Sequence, residues 1–245
     1  MTKLIRLLNK QLDLQGVSED DPYYNGLSDG MEATFSTLCH QFLPKNGTAL
    51  DIGANIGVTS AILSEVAPLG VVHAFEPNPD VFSVLARNIK KNDLNVTAHQ
   101  TALGDAAGTV RFAGDSAYGH VSADGVSVAC DTVDAVVARL RLDRVDFIKI
   151  DVEGFEWRVL KGAQETISRF KPVICMEFNS WCLTAFGDVN IVAFADWLFA
   201  KFPVVCVANL PLQPMTNPMS FVHDHMIGTG CVQDLILAFD ATAIK

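Results

Sequence analysis

Short apolar runs alternate with helical patterns from residue 48 onward, and this alternation limits the fold more than any other feature. Most of the runs are apolar at nearly every position, which is typical of parallel strands buried on both faces. The predicted strands are 48–53, 71–76, 95–102, 146–151, 172–178, 203–209 and 234–240. The predicted helices are 56–67, 79–91, 131–141, 154–168 and 189–201. These elements predict a doubly wound α/β domain with a seven-stranded, mostly parallel sheet.

The other segments extend this domain and do not indicate a second core. Residues 1–46 are predicted to form an N-terminal helical cap, residues 47–245 the α/β core, and residues 109–130 a small β-hairpin insertion. A chain of 245 residues is long enough for one large domain. We therefore predict a single domain over residues 1–245.

Charge and hydropathy narrow the range of partners. The net charge of −10 disfavours a nucleic-acid partner, because phosphate contacts supply most of that affinity and need basic side chains. The apolar runs are too short to cross a membrane, and no signal peptide is expected. The six cysteines are dispersed, and several lie in apolar runs, which indicates reduced core thiols and a cytoplasmic location. The sequence leaves a homo-oligomer open.

Acidic side chains follow the ends of four predicted strands. In an open parallel sheet, ligands bind outside the carboxyl ends of the strands. Those ends carry Asp51, Glu76, Asp151 and Glu177. Carboxylates that repel one another at one edge indicate that the ligand is a cation or is rich in hydroxyl groups.

The first strand leads into a helix through the turn Leu50-Asp-Ile-Gly-Ala-Asn-Ile-Gly57. A dinucleotide-binding turn would need glycines where Asn55 and Val58 stand, and the lysine of a phosphate-binding loop is also missing. S-adenosylmethionine fits better, because backbone N–H groups of the turn could hold its single carboxylate. Its ammonium and sulfonium groups are cations that Asp51 and Asp151 could face.

Four motifs carry a resemblance to a known family: Leu50-Asp-Ile-Gly-Ala-Asn-Ile-Gly57, Ala74-Phe-Glu-Pro-Asn78, Ala102-Leu-Gly-Asp105 and Phe147-Ile-Lys-Ile-Asp-Val-Glu-Gly-Phe-Glu156. They resemble the FkbM-type family of S-adenosylmethionine-dependent methyltransferases. The resemblance implies a Rossmann-like class I methyltransferase fold with an antiparallel last strand. It also implies methylation of an alcohol oxygen on a sugar or polyketide-like product. The cofactor contacts that it implies or supports are Asp51, Gly53, Ala54, Asn55, Gly57, Glu76, Pro77, Ala102, Leu103, Asp151 and Glu153.

Methyl transfer to a hydroxyl requires the oxygen to lose its proton, so we expect a general base or a metal ion at the site. Asp151 is the candidate base, because its strand should lie beside the first strand. Strand alternation places Lys149 on the same face of the sheet as Asp151. Glu177 on the next strand is the expected partner of this buried lysine. In the alternative, Asp151, Glu177 and Asn179 hold Mg²⁺ through oxygen ligands. We favour the version without a metal.

Segment 210–231 is predicted to be a long loop on the cofactor side, where loops often form lids or substrate walls. Its histidines, His223 and His225, and His120 in the hairpin are weaker candidates for a base, because histidines in polar loops are usually solvated. The apolar side chains of the loop are predicted to line an acceptor pocket: Met215, Met219, Phe221 and Met226.

The sequence therefore predicts an enzyme that uses S-adenosylmethionine to methylate a hydroxyl of a small molecule. Two alternatives stay open. One is an NAD-dependent oxidoreductase built on a similar sheet, and the other is a module that binds the cofactor without catalysis.

Overall fold

The apolar runs form the strands of one central sheet in a computed structural model, which describes residues 2–114 and 119–241. The strands are β1 (Lys3–Leu7), β2 (Lys10–Leu14), β3 (Thr48–Ile52), β4 (Val71–Phe75), β5 (Val96–His99), β6 (Ala102–Leu103), β7 (Gly108–Ala113), β8 (His120–Val121), β9 (Val126–Asp131), β10 (Phe147–Ile150), β11 (Val173–Asn179), β12 (Val204–Val207) and β13 (Val232–Ala238). The helices are α1 (Pro22–Gly26), α2 (Ala33–Phe42), α3 (Val58–Val66), α4 (Pro79–Lys91), α5 (Val133–Leu140), α6 (Glu156–Lys161), α7 (Gln164–Phe170), α8 (Ser180–Ala185), α9 (Ile191–Lys201) and α10 (Pro218–Gly228).

The central sheet has seven strands in the order β12-β13-β11-β10-β3-β4-β5. β13 runs antiparallel to β11 and β12, and all other neighbours in this sheet are parallel. Every residue of β3 and β10 is buried, including Thr48, Asp51 and Lys149, as expected for parallel strands that are covered on both faces. The predicted seven-stranded, mostly parallel sheet is confirmed. The predicted strand 95–102 is wrong in extent, because β5 ends at His99 and β6 belongs to a second sheet.

Alternating side chains of the central sheet contribute to two apolar cores. One core joins the N-terminal elements, α2, α3 and α4 to strand residues such as Ala49 and Phe147. The other joins helices α5 to α10 to strand residues such as Leu50 and Ile148. Because the sheet is covered on both faces, its ligand-binding groups must lie at the ends of the strands.

The predicted N-terminal helical cap is wrong for residues 3–14, which form the antiparallel hairpin β1–β2 before helices α1 and α2. The prediction rested on the spacing of leucines, but burial alternates along the second half of each strand, as in a strand with one buried face. The hairpin is fixed near the end of α4, where Asp13 N–H donates to Asn92 Oδ1 at 2.7 Å. Its buried residues are Ile5, Leu7, Leu12 and Leu14.

The predicted hairpin at 109–130 is found within a second, four-stranded sheet of order β6-β9-β7-β8, in which β7 and β9 pair antiparallel. Residues 115–118, which this prediction also covers, lie outside the described residues. The second sheet places Phe112 and Val121 beside the carboxyl ends of the central strands.

Helix α4 has the predicted bounds 79–91, because the Asn78 side chain caps it and Pro79 occupies its first turn. The predicted helix 154–168 is instead split into α6 and α7 around Gly162. A Cβ atom on Gly162 would stand 1.9 Å from a carbonyl oxygen of a neighbouring loop, so the chain approaches that loop more closely than another residue would allow.

The segment predicted to be a loop at 210–231 contains helix α10. The Asn217 side chain accepts a hydrogen bond from Ser220 N–H, and Pro218 begins the helix, a position that tolerates proline. Phe221 of α10 packs against Phe199 of α9, with 6.1 Å between ring centroids. No helix in the described part of the chain is long and apolar enough to cross a membrane.

Candidate active site

A cavity of about 310 Å³ lies at the carboxyl ends of the central strands, where the sequence predicts the ligand. Asp51 is fully buried behind the cavity, and Gly57 begins α3. Neither of these two residues nor Asn179 belongs to the lining. The predicted site residues that line the cavity are Gly53, Ala54, Asn55, Glu76, Pro77, Ala102, Leu103, Lys149, Asp151, Glu153 and Glu177.

Gly53 joins the end of β3 closely to the end of β10. Its φ of +81° lies in the left-handed region, and a Cβ atom there would stand 1.8 Å from the Asp151 carbonyl oxygen. Only glycine therefore fits this position without displacing the neighbouring strand end. The close approach brings the first-strand turn and the Asp151 loop to the same side of the cavity.

The backbone N–H groups of this turn are bonded within the protein. Ala54 N–H donates to the Phe75 carbonyl at 3.0 Å, and Gly57 N–H donates to the Ala54 carbonyl at 2.9 Å. Asn55 N–H donates to Glu76 Oε2 at 3.1 Å. The prediction that these amides form an open cradle for a carboxylate is wrong for these three N–H groups, because each already has a partner.

Glu76 presents a carboxylate at the end of β4 and is 6% exposed. Its two oxygens accept hydrogen bonds from Asn55 N–H and from Asn78 N–H, the latter at 2.9 Å. Burial raises the pKa of Glu76 to about 7, and the two hydrogen bonds oppose that rise. Each carboxylate oxygen can accept a further bond, so a fixed Glu76 is suited to bind hydroxyl groups of a ligand.

Lys149 lies between the carboxylates of two neighbouring strand ends. Its Nζ is 3.7 Å from Asp51 Oδ1 and 3.4 Å from Asp151 Oδ2, and it donates to the Gly53 carbonyl at 2.8 Å. Burial by itself lowers the pKa of Lys149, but the Asp151 and Asp51 carboxylates outweigh burial and raise it above its ordinary value. The predicted pairing of Lys149 with Glu177 is wrong, because the strand register sets Lys149 directly beside Asp51.

Glu177 belongs to a second group of carboxylates, which shares Asp151 with the Lys149 group. One oxygen from each of Asp151, Glu153 and Glu177 lies within 4.8 Å of the others, a donor set that suits a hard cation such as Mg²⁺. Burial, together with the charges of Asp151 and Glu153, raises the pKa of Glu177 to about 9. Asn179, predicted for such a set, instead accepts a hydrogen bond from Cys182 N–H and caps α8.

The sequence of this site matches a known domain. Residues 51–198 match the family model of the methyltransferase FkbM domain. The chain belongs to the FkbM methyltransferase family. The matched range contains the cavity residues at the ends of β3, β4, β10 and β11.

Two curated methyltransferases show what the chain is similar to in sequence. Methyltransferase sdnD of Sordaria araneosa is 31% identical, over 54% of this chain and 66% of its own length. Hexuronic acid methyltransferase AglP of Haloferax volcanii is 32% identical, over 51% of this chain and 53% of its own length. The chain thus spans about half to two thirds of the length of these curated relatives.

A solved structure supports the fold. The 16S rRNA N2 G1207 methyltransferase of T. thermophilus, in complex with AdoMet and guanosine, aligns with a TM-score of 0.53. The alignment covers 98% of this chain and 50% of that chain at 11% identity. An identity this low shows the fold alone, and that fold is the class I methyltransferase type.

The predicted acceptor pocket in segment 210–231 of this FkbM-family chain is wrong. Helix α10 packs on α9, which turns Phe221 into the second core and leaves Met219 and Met226 exposed. The four apolar residues predicted for the pocket are absent from the cavity lining: Met215, Met219, Phe221 and Met226.

The three candidate histidines also lie outside the cavity lining. His225 is buried in α10, with its ring edge-on to Phe178, and His223 is exposed. His120 stacks on Phe186 at 3.6 Å between ring centroids. Of the three, His120 is nearest in sequence to lining residues, because both of its chain neighbours line the cavity.

Four of the cavity residues that the sequence analysis missed lie outside the matched FkbM domain. Tyr23, Glu32 and Phe35 come from the N-terminal segment, and Asp234 comes from β13. Asp234 pairs in register with Glu177, so the antiparallel last strand was a signal for it. The N-terminal residues carry no local pattern that predicts their position.

Proposed function

We propose that the chain is an S-adenosylmethionine-dependent methyltransferase that methylates a hydroxyl group of a small molecule. The group formed by Asp51, Lys149 and Asp151 is the observation that carries this proposal. Two carboxylates and one ammonium give it a net charge of −1 beside the cavity. An enclosed negative charge favours a cation such as the sulfonium of the cofactor over a pyrophosphate.

The lining residues fit the cofactor at separate points. Glu76 would bind the ribose hydroxyls, and Ala102 and Leu103 offer an apolar wall for the adenine. Asp151 would face the sulfonium group, whereas Asp51 is buried behind the lining and would act on the cofactor's cations only through its charge. When bound, S-adenosylmethionine supplies the methyl group for transfer.

Asp151 is the proposed general base. Its side chain is 40% exposed, so it faces the cavity, while Lys149 at 3.4 Å holds it in place. A fixed carboxylate in this position could accept the proton of an acceptor hydroxyl. Glu177 is a second proposed catalytic group, because its raised pKa makes it a stronger base once it is ionised.

A metal-dependent version would use the carboxylates of Asp151, Glu153 and Glu177 to hold Mg²⁺. Such an ion would lower the pKa of a bound hydroxyl, so that a weaker base would suffice. We favour direct proton transfer to a carboxylate, because Lys149 already neutralises part of the charge on Asp151.

The acceptor is proposed to be a hydroxyl-rich small molecule such as a sugar. Carboxylates are good acceptors of hydrogen bonds from hydroxyl groups, and the cavity contains several of them. The relative named hexuronic acid methyltransferase supports an acceptor of this class. The net charge of −10 disfavours a nucleic acid.

The test is formation of S-adenosylhomocysteine from S-adenosylmethionine with a panel of hexuronic acids, neutral hexoses and polyketide alcohols. We expect acceptor-dependent product that is lost in Asp151→Asn. Parallel reactions with EDTA and with added Mg²⁺ separate the two versions, because only the metal-dependent one loses activity to the chelator. Two outcomes would contradict the proposal. One is product from acceptors that are too large to enter the cavity, and the other is no product with any acceptor of the panel.

A further inference from the structure

The chain between the hairpin and α2 forms a wall of the cavity. Tyr23 from α1 and Glu32 and Phe35 around the start of α2 line the cavity together with Lys149 and Asp151. These three N-terminal residues precede the matched FkbM domain, which begins at residue 51. The matched FkbM domain therefore does not include this wall.

The wall is held firmly to the hairpin. Gly30 N–H donates to the Arg6 carbonyl at 3.0 Å, and Arg6 N–H donates to Asp29 Oδ1 at 2.8 Å. Asp21 caps α1 by accepting hydrogen bonds from Tyr23 N–H and Tyr24 N–H. These bonds fix the direction of the two adjacent tyrosines.

The two tyrosines face different surroundings. Tyr24 is 2% exposed, and its ring packs so closely on Gly16 that a Cβ atom there would stand 2.4 Å from it. Tyr23 lines the cavity, where its phenol experiences the charges of Glu32, Lys149 and Asp151. Lys149 and Asp151 belong to β10 of the central sheet and the loop after it, whereas the predicted adenine wall belongs to β6 of the second sheet.

The Tyr23 hydroxyl is suited to donate a hydrogen bond to a ligand. Burial, and then the charge of Glu32, raises the pKa of Tyr23 above its ordinary value, so the phenol stays neutral at physiological pH. Among the described residues, no hydrogen bond to the Tyr23 hydroxyl is found. Lys149, the cation of this region, already directs its ammonium to Gly53, Asp51 and Asp151.

We propose that Tyr23 is a specificity-determining residue on the acceptor side of the site, where its hydroxyl donates a hydrogen bond to an oxygen atom of the acceptor. This inference rests on the proposed methyltransferase function. An acceptor that presents an oxygen to Tyr23 would be preferred over one that presents a methylene group, because the phenol would otherwise lose its hydrogen bond to water on binding.

Tyr23→Phe removes only the hydroxyl, and Tyr24→Phe is the matched control on the same helix. For each variant, calorimetry gives the Kd for S-adenosylhomocysteine, and initial rates give KM and kcat for the best hydroxyl acceptor of the sugar panel. We expect Tyr23→Phe to raise the acceptor KM roughly three- to tenfold, as for one lost hydrogen bond. Its Kd for S-adenosylhomocysteine and its thermal midpoint should match those of the wild type, and Tyr24→Phe should leave both the Kd and KM unchanged.

Deoxy analogues of the acceptor identify the contact. For one analogue, wild type and Tyr23→Phe should have equal KM values, because the oxygen that Tyr23 binds is missing. An unchanged acceptor KM for Tyr23→Phe would overturn this inference, and so would a rise in the Kd for S-adenosylhomocysteine as large as the rise in KM. Either result would leave the proposed methyltransferase function standing. A wild-type protein that binds S-adenosylhomocysteine but methylates no acceptor contradicts the proposed function, and this inference falls with it.

Discussion

Replacing Lys149 by methionine tests whether the charges behind the cavity depend on one another. The Asp51 side chain is fully buried, and the substitution removes the ammonium group that lies beside its carboxylate. Thr59 and Ser60 still donate to Asp51 Oδ2, at 2.8 and 2.5 Å, and Asp151 is exposed enough to be hydrated. Breaking a buried ion pair lowers the free energy of unfolding by about 3–5 kcal/mol. Because Asp51 keeps two hydrogen bonds and Asp151 can be hydrated, we expect a loss near the lower end, about 3 kcal/mol.

Urea unfolding of the purified protein measures this loss of stability. Thermal unfolding is a second measurement, in which the midpoint should fall by about 6–12 °C. Lys91→Met is the control, since Lys91 pairs with Asp13 at 2.7 Å with both side chains about one third exposed. Such a surface pair contributes less than about 1 kcal/mol. Adding Asp51→Asn to Lys149→Met should recover much of the stability. Equal effects of the two lysine substitutions would refute the coupled, buried arrangement.

Three further predictions follow from the site and the fold. Glu76→Ala should raise the Kd for S-adenosylhomocysteine roughly ten- to hundredfold in calorimetry above the Glu76 pKa of about 7, because hydrogen bonds to a charged group contribute about 1.5–3 kcal/mol. An unchanged Kd in a folded variant would place the cofactor elsewhere. Asp151→Asn should lower kcat about a hundredfold or more, while the Kd for S-adenosylhomocysteine stays within about threefold of the wild-type value. Near-normal turnover of this variant would show that Asp151 is not the general base. Burial and the neighbouring His99 lower the pKa of His73 to about 4, from 6.5. The unfolded chain therefore binds this proton more readily, and stability is lost as pH falls from about 6.5 towards 4. His73→Gln should become more stable relative to the wild type over that interval in urea unfolding, and a constant difference would contradict this.

The sheet was predictable because its strands are marked locally. An apolar run such as Val173-Ile-Cys-Met176 in the predicted strand 172–178 indicates burial on both faces, and the predicted helix 79–91 carries its own cap in Asn78. The hairpin at 3–14 was mistaken for helix because its leucines fit both periods over a short span. Helix α10 was missed because Pro218 also fits a loop.

The site was predictable only as far as strand order determines it. The acids at the strand ends fall on one edge of any parallel sheet, so Glu76 and Asp151 line the cavity as expected. The partner of Lys149 depends on register, which the sequence did not supply. Tyr23 reaches the cavity because the neighbouring hairpin β1–β2 packs near the end of α4, which is far from the hairpin in the chain. No local sequence pattern encodes such a contact.

Binding of S-adenosylhomocysteine, S-adenosylmethionine and NAD to the full chain, measured side by side by calorimetry, tests the central claim most directly. The account predicts saturable one-to-one binding of the first two ligands, weakened by Glu76→Ala, and no binding of NAD. Saturable binding of NAD without binding of either sulfur compound would contradict the account.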